Sequence, residues 1–318
     1  MNSESKGKAY AAAVLYALII SFSFLFVKLA LTVSEPMDAI AHRFTVSFVA
    51  IGIPVLLGWI KLNIGWKDIL RILPLSLLYP AMFFSLQVFG LRYSSSSEGG
   101  IIQATVPIFT MVLASLFLKE RSNGWQKLSV VLSVGGVMYI FLMQGASLEG
   151  SHVQGISLLL LSCVSFAGYS VLARPLSRQY KPMDLSFIML TIGFLFFNGV
   201  SLVKHGLEGS MDKFVEPLSS PLFIVSVLYL GIFAALFTTL LLSYAVSKLE
   251  ASKLSVFGNL STLISMAAGV VFLDETLHYY HWIGAVMIVA GVLGVNFLDN
   301  AGQRTEMSVK TRNKPLSS

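Results

Sequence analysis

Long apolar stretches separated by short polar segments run along almost the whole chain. Ten of them reach the roughly 20 residues that an α-helix needs to cross about 30 Å of hydrocarbon. They lie at approximately 9–31, 39–60, 70–91, 98–118, 125–143, 154–174, 184–203, 221–246, 251–273 and 279–298. None alternates apolar and polar residues as barrel strands do. The pattern predicts an all-α integral membrane protein with ten transmembrane helices.

Composition excludes a soluble domain and a disulfide scaffold. Only 12% of the 318 residues are charged and the mean hydropathy is +0.77, whereas soluble domains carry roughly 25% charged residues. The single cysteine, Cys163, lies inside an apolar run. The first apolar stretch, 9–31, is longer than the roughly 7–15 apolar residues of a signal peptide. We therefore expect it to be an uncleaved first span.

The basic residues predict the orientation of the helices. If the N-terminus is cytoplasmic, 17 of the 22 Lys and Arg residues fall on the cytoplasmic side. The outer side then holds only four, namely Lys28, Arg92, Lys204 and Lys213. By the positive-inside rule both termini are cytoplasmic, with an N-terminal tail at 1–8 and a disordered C-terminal tail at 299–318. The basic residues flank many helices instead of forming one patch, so nucleic acid is not an expected partner.

The two halves of the chain resemble each other. Pro36-Met37-Asp38 recurs as Pro182-Met183-Asp184, at an offset of 146 residues, and at an offset of 155 Glu120 matches Glu275. We expect two repeats of five helices, 9–143 and 154–298. An odd number of spans inserts the second repeat upside down, and the loop at 274–280 accordingly lacks the basic residues of its counterpart at 119–127. Such inverted repeats are common in secondary transporters with alternating access.

Several short motifs occur in a fixed order along the helices. They are Val27-Lys28-Leu29-Ala30, His42-Arg43-Phe44, Ser94–Glu98, Ala104-Thr105-Val106-Pro107, Phe117-Leu118-Lys119-Glu120, Phe272-Leu273-Asp274-Glu275, Trp282-Ile283-Gly284-Ala285 and Ala290-Gly291-Val292. With these motifs the chain resembles the drug/metabolite transporter superfamily, in particular EamA-type transporters, over about residues 9–298. One departure lies in the first helix, where Ser21-Phe22-Ser23 stands in place of the Trp-Gly-Ser-like stretch frequent in the family.

The resemblance implies a secondary transporter of small metabolites, such as amino acids or related compounds, in a bacterial cytoplasmic membrane. Export is the favoured direction. The alternatives are an uptake permease or a multidrug exporter of the same fold, or a membrane-embedded enzyme or assembly factor. The resemblance also implies a central cavity lined by helices one to four and six to nine. It places helices five and ten at the back, where a homodimer can form.

Arg43 is the main candidate for a functional charge, because charges inside a span are costly and often functional. It would bind a substrate carboxylate, or form a gate with Glu35 or Asp38; the alternative is a structural salt bridge or a side chain that reaches the interface. Four further charges near helix ends are candidates for a gating or a structural role, namely Lys28, Glu120, Arg174 and Glu275. We expect no carboxylate in the middle of the membrane.

Uncharged polar and aromatic residues complete the predicted substrate site. Buried amides require hydrogen bonds and aromatic residues can form amphipathic walls, although both can also hold helices together. With Arg43, the candidates are Phe22, Ser23, Tyr79, Gln87, Gln103, Tyr169, Tyr244 and Asn259. Amides and aromatics with few charges suit a zwitterionic solute or one of mixed polarity. The family layout implies that Gln87, Gln103 and Asn259 face the cavity.

Other classes find little support in the sequence. It has no phosphate-binding G-x-x-x-x-G-K-[ST] loop, so we expect no ATP-driven pumping. The five histidines are scattered along the chain and are predicted to be external, so we expect neither a metal site nor a cofactor and interpret the chain as a non-enzyme. The expected partners are a small-molecule substrate and the lipid bilayer.

Overall fold

The computed structural model describes residues 3–117, 124–144, 150–176, 179–238, 241, 251–291 and 293–294. Every regular element in that part of the chain is helical. The predicted all-α class is confirmed. Two predicted site residues, Glu120 and Tyr244, lie outside the described residues.

Seven helices and one π-helical segment make up the first half. They are α1 (Ser3–Ala30), α2 (Pro36–Leu56), α3 (Trp66–Ser76), the π-helical segment Leu77–Met82, α4 (Phe83–Tyr93), α5 (Ser96–Gln103), α6 (Val106–Phe117) and α7 (Gly124–Gln144). The π-helical segment joins α3 to α4, so 66–93 form one apolar helical stretch. Only Ser94 and Ser95 separate it from α5, a shorter connection than the predicted turn at 92–97.

The second half continues with α8 (Gly150–Leu176), α9 (Pro182–Glu208), α10 (Met211–Val215), a 3₁₀ turn (Glu216–Ser219), α11 (Pro221–Leu228), a π-helical segment (Tyr229–Phe237), α12 (Ala251–Leu273) and α13 (279–291). The third long helical stretch of each half thus contains a π-helical segment. Such segments change the direction of side chains within a helix and often lie at functional sites.

Six helices in the described residues are long and apolar enough to cross a membrane. They lie at Tyr10–Ala30, Pro36–Leu56, Trp66–Tyr93, Ser96–Phe117, His152–Ala173 and Met183–Glu208. A seventh results if Met211–Ser219 and Pro221–Phe237, which meet at 90°, are counted together. Lys127–Ile140 and Ser261–Leu273 are shorter apolar helices. The described residues therefore contain fewer full spans than the ten predicted.

The surface and the interior have the polarity of a membrane protein. Leu56 and Leu207 are 87% and 85% exposed, and many other large apolar side chains face outward. Small hydroxyl side chains, such as Ser47, Ser76 and Ser133, are instead fully buried between helices. Outward apolar side chains suit lipid, and small residues inside let helices approach closely.

The repeated Pro-Met-Asp triplet begins a helix in both halves. Pro36 is the first residue of α2 and Pro182 is the first residue of α9, and the residue before each is extended. Proline suits this position because its φ is already helical and the first N–H groups of a helix have no intrahelical partner.

The two helices that begin with this triplet lie antiparallel against each other. Near the start of α2, Asp38 Oδ2 lies 3.0 Å from His205 Nε2 near the end of α9. At the opposite end, the Asp184 carboxylate at the start of α9 accepts a hydrogen bond from the backbone N–H of Asn63, which follows α2, at 3.4 Å. The aspartates of the two triplets therefore hold opposite ends of the same helix pair.

Helices α5 and α12 are antiparallel too. Ser97 Oγ donates a hydrogen bond to the carbonyl oxygen of Met266 at 3.3 Å. Three residues later along α5, the carbonyl oxygen of Gly100 accepts from Thr262 Oγ1, which lies four residues earlier along α12, at 3.3 Å. The partner numbers fall as the α5 numbers rise, which defines the antiparallel direction.

Helices α7 and α13 are also antiparallel, and their close contact depends on glycine. A Cβ atom on Gly136 would lie 2.8 Å from the carbonyl oxygen of Gly284, and Ser133 Oγ donates to the carbonyl oxygen of Ile288 at 2.7 Å. These small residues therefore serve close packing within one chain. A homodimer through helices five and ten stays a prediction, and it would have to use other faces of these helices.

Candidate functional site

Arg43 lies in the interior of the bundle. The residue is 7% exposed, and the central carbon of its guanidinium lies 4.2 Å from the centre of the Phe84 ring. Contact with an aromatic face stabilises a cation by roughly 0.5–2 kcal/mol. Within the described residues, the guanidinium has no salt bridge.

The two acidic residues considered as gating partners of Arg43 bind other residues. Glu35 forms a salt bridge with Lys204, and this hydrogen bond holds the pKa of the Glu35 carboxyl below its usual range. Asp38 contacts His205. In this structure Arg43 therefore pairs with neither Glu35 nor Asp38, and a gate between them stays a prediction.

Tyr79 faces Arg43 across a cluster of aromatic rings. It lies in the first π-helical segment, where its backbone leaves helical geometry with φ −142° and ψ 115°. Its ring centre lies 5.2 Å from that of Phe84, 5.3 Å from that of Phe166 and 4.9 Å from that of Tyr169. We call Arg43, Tyr79, Phe83, Phe84, Phe166 and Tyr169 the Arg43 cluster.

Tyr169 and Gln87 extend the polar part of this site. The Tyr169 hydroxyl lies 3.8 Å from Met189 Sδ, a weak contact that reaches α9. Gln87 follows Phe83 by one turn of α4 and is 8% exposed. No hydrogen bond of its amide is found among the described residues. The structure thus brings three predicted site residues, Arg43, Tyr79 and Tyr169, into one cluster.

Three other predicted site residues contact different partners. The Phe22 ring packs edge-to-face on Phe272, with 6.0 Å between ring centres. Ser23 Oγ donates to the carbonyl oxygen of Ile20 at 2.6 Å, a bond within its own helix. Gln103 Oε1 lies 3.8 Å from Cys163 Sγ, which joins α5 to α8.

Two more predicted residues lie in helices that the structure describes, but their side chains are outside the description. Arg174 belongs to α8 and Asn259 belongs to α12. Their predicted roles stay predictions.

Glu98 is a buried carboxylate that the sequence interpretation missed. It is 5% exposed, and its Oε1 lies 3.3 Å from His152 Nε2 and 3.5 Å from His281 Nε2. We call Glu98, His152 and His281 the Glu98 cluster. It brings together two histidines that are far apart in the sequence, whereas the expectation that no carboxylate lies in the middle of the membrane stays a prediction, since Glu98 is in the first turn of α5.

A signal for the position of Glu98 was present in the sequence. Ser95 and Glu98 have the spacing of a capping box, in which each side chain binds the other residue's backbone N–H at a helix start. Both bonds are present, at 3.0 Å and 2.8 Å. The histidines could not be foreseen, because His152 and His281 are 54 and 183 positions further along the chain.

Lys28 and Glu275 hold helix ends next to this cluster. Lys28 Nζ donates to the carbonyl oxygens of Leu91 and Ser94 at 2.8 Å and 2.7 Å, where α4 ends. The Glu275 carboxylate accepts from the backbone N–H groups of Ser96 and Ser97 at 2.6 Å and 2.9 Å, where α5 begins. Each charge complements the helix dipole that it meets, so both contacts stabilise the structure.

The described residues contain no group of three or more His, Cys, Asp or Glu side chains arranged to hold a metal ion.

A buried cation within aromatic walls, inside a bundle of apolar helices, defines a multi-pass membrane protein with an interior polar site. A site of this kind can bind an anionic group together with an apolar or aromatic part of the same solute.

The chain belongs to the EamA-like transporter family, whose model matches residues 7–142 and again residues 153–297. The predicted membership in the drug/metabolite transporter superfamily is confirmed. The protein is therefore a transporter and not an enzyme.

Individual relatives agree with this assignment. The chain is 50% identical to the uncharacterized transporter YcxC of Bacillus subtilis, over 98% of this chain and 100% of that protein. It is 24% identical to an uncharacterized transporter of Archaeoglobus fulgidus, over 88% of this chain and 96% of that protein. A solved crystal structure that is 15% identical superposes with a TM-score of 0.59 over 94% of this chain and 99% of the other, which shows a shared fold.

Proposed function

We propose that this protein is a secondary transporter that exports a small carboxylate-bearing metabolite, such as an amino acid or a related compound. The solute would bind in a cavity between two inverted repeats that alternately open to either side of the membrane. The observation that carries the proposal is the buried guanidinium of Arg43, which has no carboxylate partner among the described residues.

The chemistry of the Arg43 cluster supports this class of solute. A buried charge is costly unless it is paired, so a guanidinium without an acidic neighbour favours a ligand that brings the negative charge. The guanidinium fork matches a carboxylate geometrically. The rings of Tyr79, Phe84 and Tyr169 supply a wall for the remainder of the solute.

Three observations support ten helices in two inverted repeats. The family model matches each half of the chain once. Equivalent helices pack antiparallel, as repeats of opposite orientation require. The third helical stretch of each half contains a π-helical segment. Alternating access follows from this architecture, since the halves can exchange conformations around a shared site.

The membrane and the orientation are part of the proposal. Relatives in bacteria support a multi-pass protein of the bacterial cytoplasmic membrane. The excess of basic residues at one face supports cytoplasmic termini. The Glu98 cluster then lies at the outer face, where α4 ends and α5 begins.

Counterflow in proteoliposomes tests this function. Purified protein is reconstituted into vesicles preloaded with one metabolite, and uptake of the same radiolabelled metabolite is followed. The panel pairs each amino acid with the amine that lacks its carboxylate. We expect exchange for carboxylate-bearing solutes and at least tenfold less for the paired amines. Exchange of the amines alone would contradict the carboxylate class, and exchange of no solute would contradict the whole proposal.

Direction is proposed from the family resemblance, and a second measurement tests it. Cells that overproduce the protein should accumulate the exchanged solute in the medium, compared with cells that lack it. Faster uptake of labelled solute without release would favour the uptake permease. Exchange of hydrophobic cations in place of carboxylates would favour the multidrug exporter.

A further inference from the structure

The Glu98 cluster is a second polar site, which the proposed solute site does not use. Its three side chains come from three different helices, namely α5, α8 and α13. Glu98 also lines a small cavity with otherwise apolar walls, formed by Ile101, Ile102, Val137, Ile140, Ile156 and Ile288. Opening this face of the bundle would separate the three helices and break the cluster.

His152 makes two contacts that require more protons than its neutral ring can supply. Its Nδ1 lies 3.2 Å from the carbonyl oxygen of Tyr93, which can only accept a hydrogen bond, so Nδ1 must donate. A neutral imidazole carries one N–H. Its Nε2 would then present a lone pair to Glu98 Oε1 at 3.3 Å. The contact needs one additional proton, held either by the imidazole as a cation or by the carboxyl group as an acid.

His281 can make both of its contacts as a neutral ring, without an additional proton. Its Nδ1 accepts a hydrogen bond from the backbone N–H of His278 at 3.1 Å. The neutral ring therefore carries its proton on Nε2, which donates to Glu98. The second carboxylate oxygen of Glu98 accepts from the backbone N–H of Ser95 at 2.8 Å. The additional proton thus belongs to the contact between His152 and Glu98.

Two charges next to this contact are held by helix ends. Lys28 and Glu275 already bind the ends of α4 and α5. The titratable groups that face Glu98 from the described elements are Lys28 on α1, His152 on α8, Glu275 in the 274–278 segment, and Tyr280 and His281 on α13. The His152 side chain is 29% exposed and that of Glu98 is 6% exposed, so His152 connects Glu98 to water.

We propose that His152 and Glu98 form a proton-binding site that closes the outer face of the transporter. When this face opens, the pair releases one proton to the external water and leaves a neutral imidazole and a carboxylate. This inference rests on the proposed function, because it assumes alternating access and the orientation given above. Since the closed state binds one more proton than the open state, external acid favours closure and external alkali favours opening.

Cysteine accessibility tests the site without any solute. A reporter, Ile156→Cys, is placed in the cavity wall in a Cys163→Ser background, and right-side-out vesicles are labelled with a membrane-impermeant maleimide between pH 5.5 and 8.5. Rates are divided by those of an exposed reporter, Ser219→Cys, to remove the intrinsic pH dependence of thiols. We expect the normalised rate to rise about fivefold or more towards pH 8.5, as a linked equilibrium predicts.

Two variants and one control assign the response to the pair. Glu98→Gln removes the carboxylate that shares the proton with His152, so labelling should lose its pH dependence. His152→Ala, at a partly exposed position, should also lose the pH dependence. Asp212→Asn makes the same acid-to-amide change on an exposed outer residue and should behave like the unsubstituted reporter protein.

The outcomes separate this site from the proposed function. A flat profile in the reporter protein, or an unchanged pH response in both Glu98→Gln and His152→Ala, would overturn the proton site even if counterflow succeeds. Failure of counterflow for every solute would overturn the transport proposal, whatever the labelling shows. If size-exclusion chromatography shows that Glu98→Gln does not fold, the pH response of labelling in His152→Ala alone tests the proton site.

Discussion

Among single residues, Arg43 combines the burial of a charge with the clearest expected role. Arg43→Ala should lower exchange of a carboxylate-bearing solute at least tenfold, because a lost charge-assisted hydrogen bond costs roughly 1.5–3 kcal/mol. Arg43→Lys keeps the charge but loses the planar fork that stacks on Phe84, so an intermediate rate is expected. Counterflow in proteoliposomes measures both rates.

A matched control separates this effect from a general loss of positive charge. Arg92 is exposed in the last turn of α4, and Arg92→Ala should exchange solute at the unsubstituted rate. Membrane-extracted protein of each variant should elute as one symmetric peak. Normal exchange by well-folded Arg43→Ala protein would remove Arg43 from the solute site and favour the alternative of a structural charge.

Between elements, the contact of α7 with α13 is the most sensitive to side-chain size. Gly136→Val would place Cβ 2.8 Å from the carbonyl oxygen of Gly284, and overpacking of this kind costs roughly 1–3 kcal/mol. We expect a lower unfolding temperature in detergent. Gly199→Val in α9 is the control, since nothing lies within 4 Å of the Cβ position there. Equal unfolding temperatures of the two variants would show that this contact is not tight in solution.

The sequence predicted most elements because apolar length and helix starts are local properties. Both Pro-Met-Asp triplets proved to be helix starts. Boundaries were less accurate where polar residues are buried. Helix α9 continues to Glu208 instead of ending near 203, because His205 packs against Asp38 and is 1% exposed. A local pattern cannot show that a polar residue near a helix end has a buried partner 167 positions away.

The candidate site was predicted in part for the same reason. Aromatic and charged residues inside apolar runs singled out Arg43, Tyr79 and Tyr169, which the structure brings together in the interior, and their role in binding a solute stays a prediction. The rings of Phe83, Phe84 and Phe166 were missed, since phenylalanine is expected everywhere in a membrane helix. Glu98 was missed because its importance comes from histidines on two other helices, which only the three-dimensional arrangement brings together.

At the scale of the whole molecule, several polar contacts among the described residues lie together at one face of the bundle. The Glu98 cluster, the Lys28 and Glu275 contacts, and the pairs formed by Glu35 and Asp38 all lie at the face where α1 ends and α5 begins. In alternating access, such contacts must break for that face to open. We infer that the structure is closed at this face, which the proposed orientation places outside.

Cysteine labelling of whole cells tests the orientation on which the outer-face assignment depends. In a Cys163→Ser background, Ser210→Cys should react with a membrane-impermeant maleimide in intact cells. Ser308→Cys should react only after the membrane is permeabilised, since the 17-to-4 distribution of basic residues places the C-terminal tail inside. The reverse result would place the Glu98 cluster at the cytoplasmic face. External pH could not then act on His152 and Glu98 directly, so this result would overturn the proposal that the pair closes the outer face.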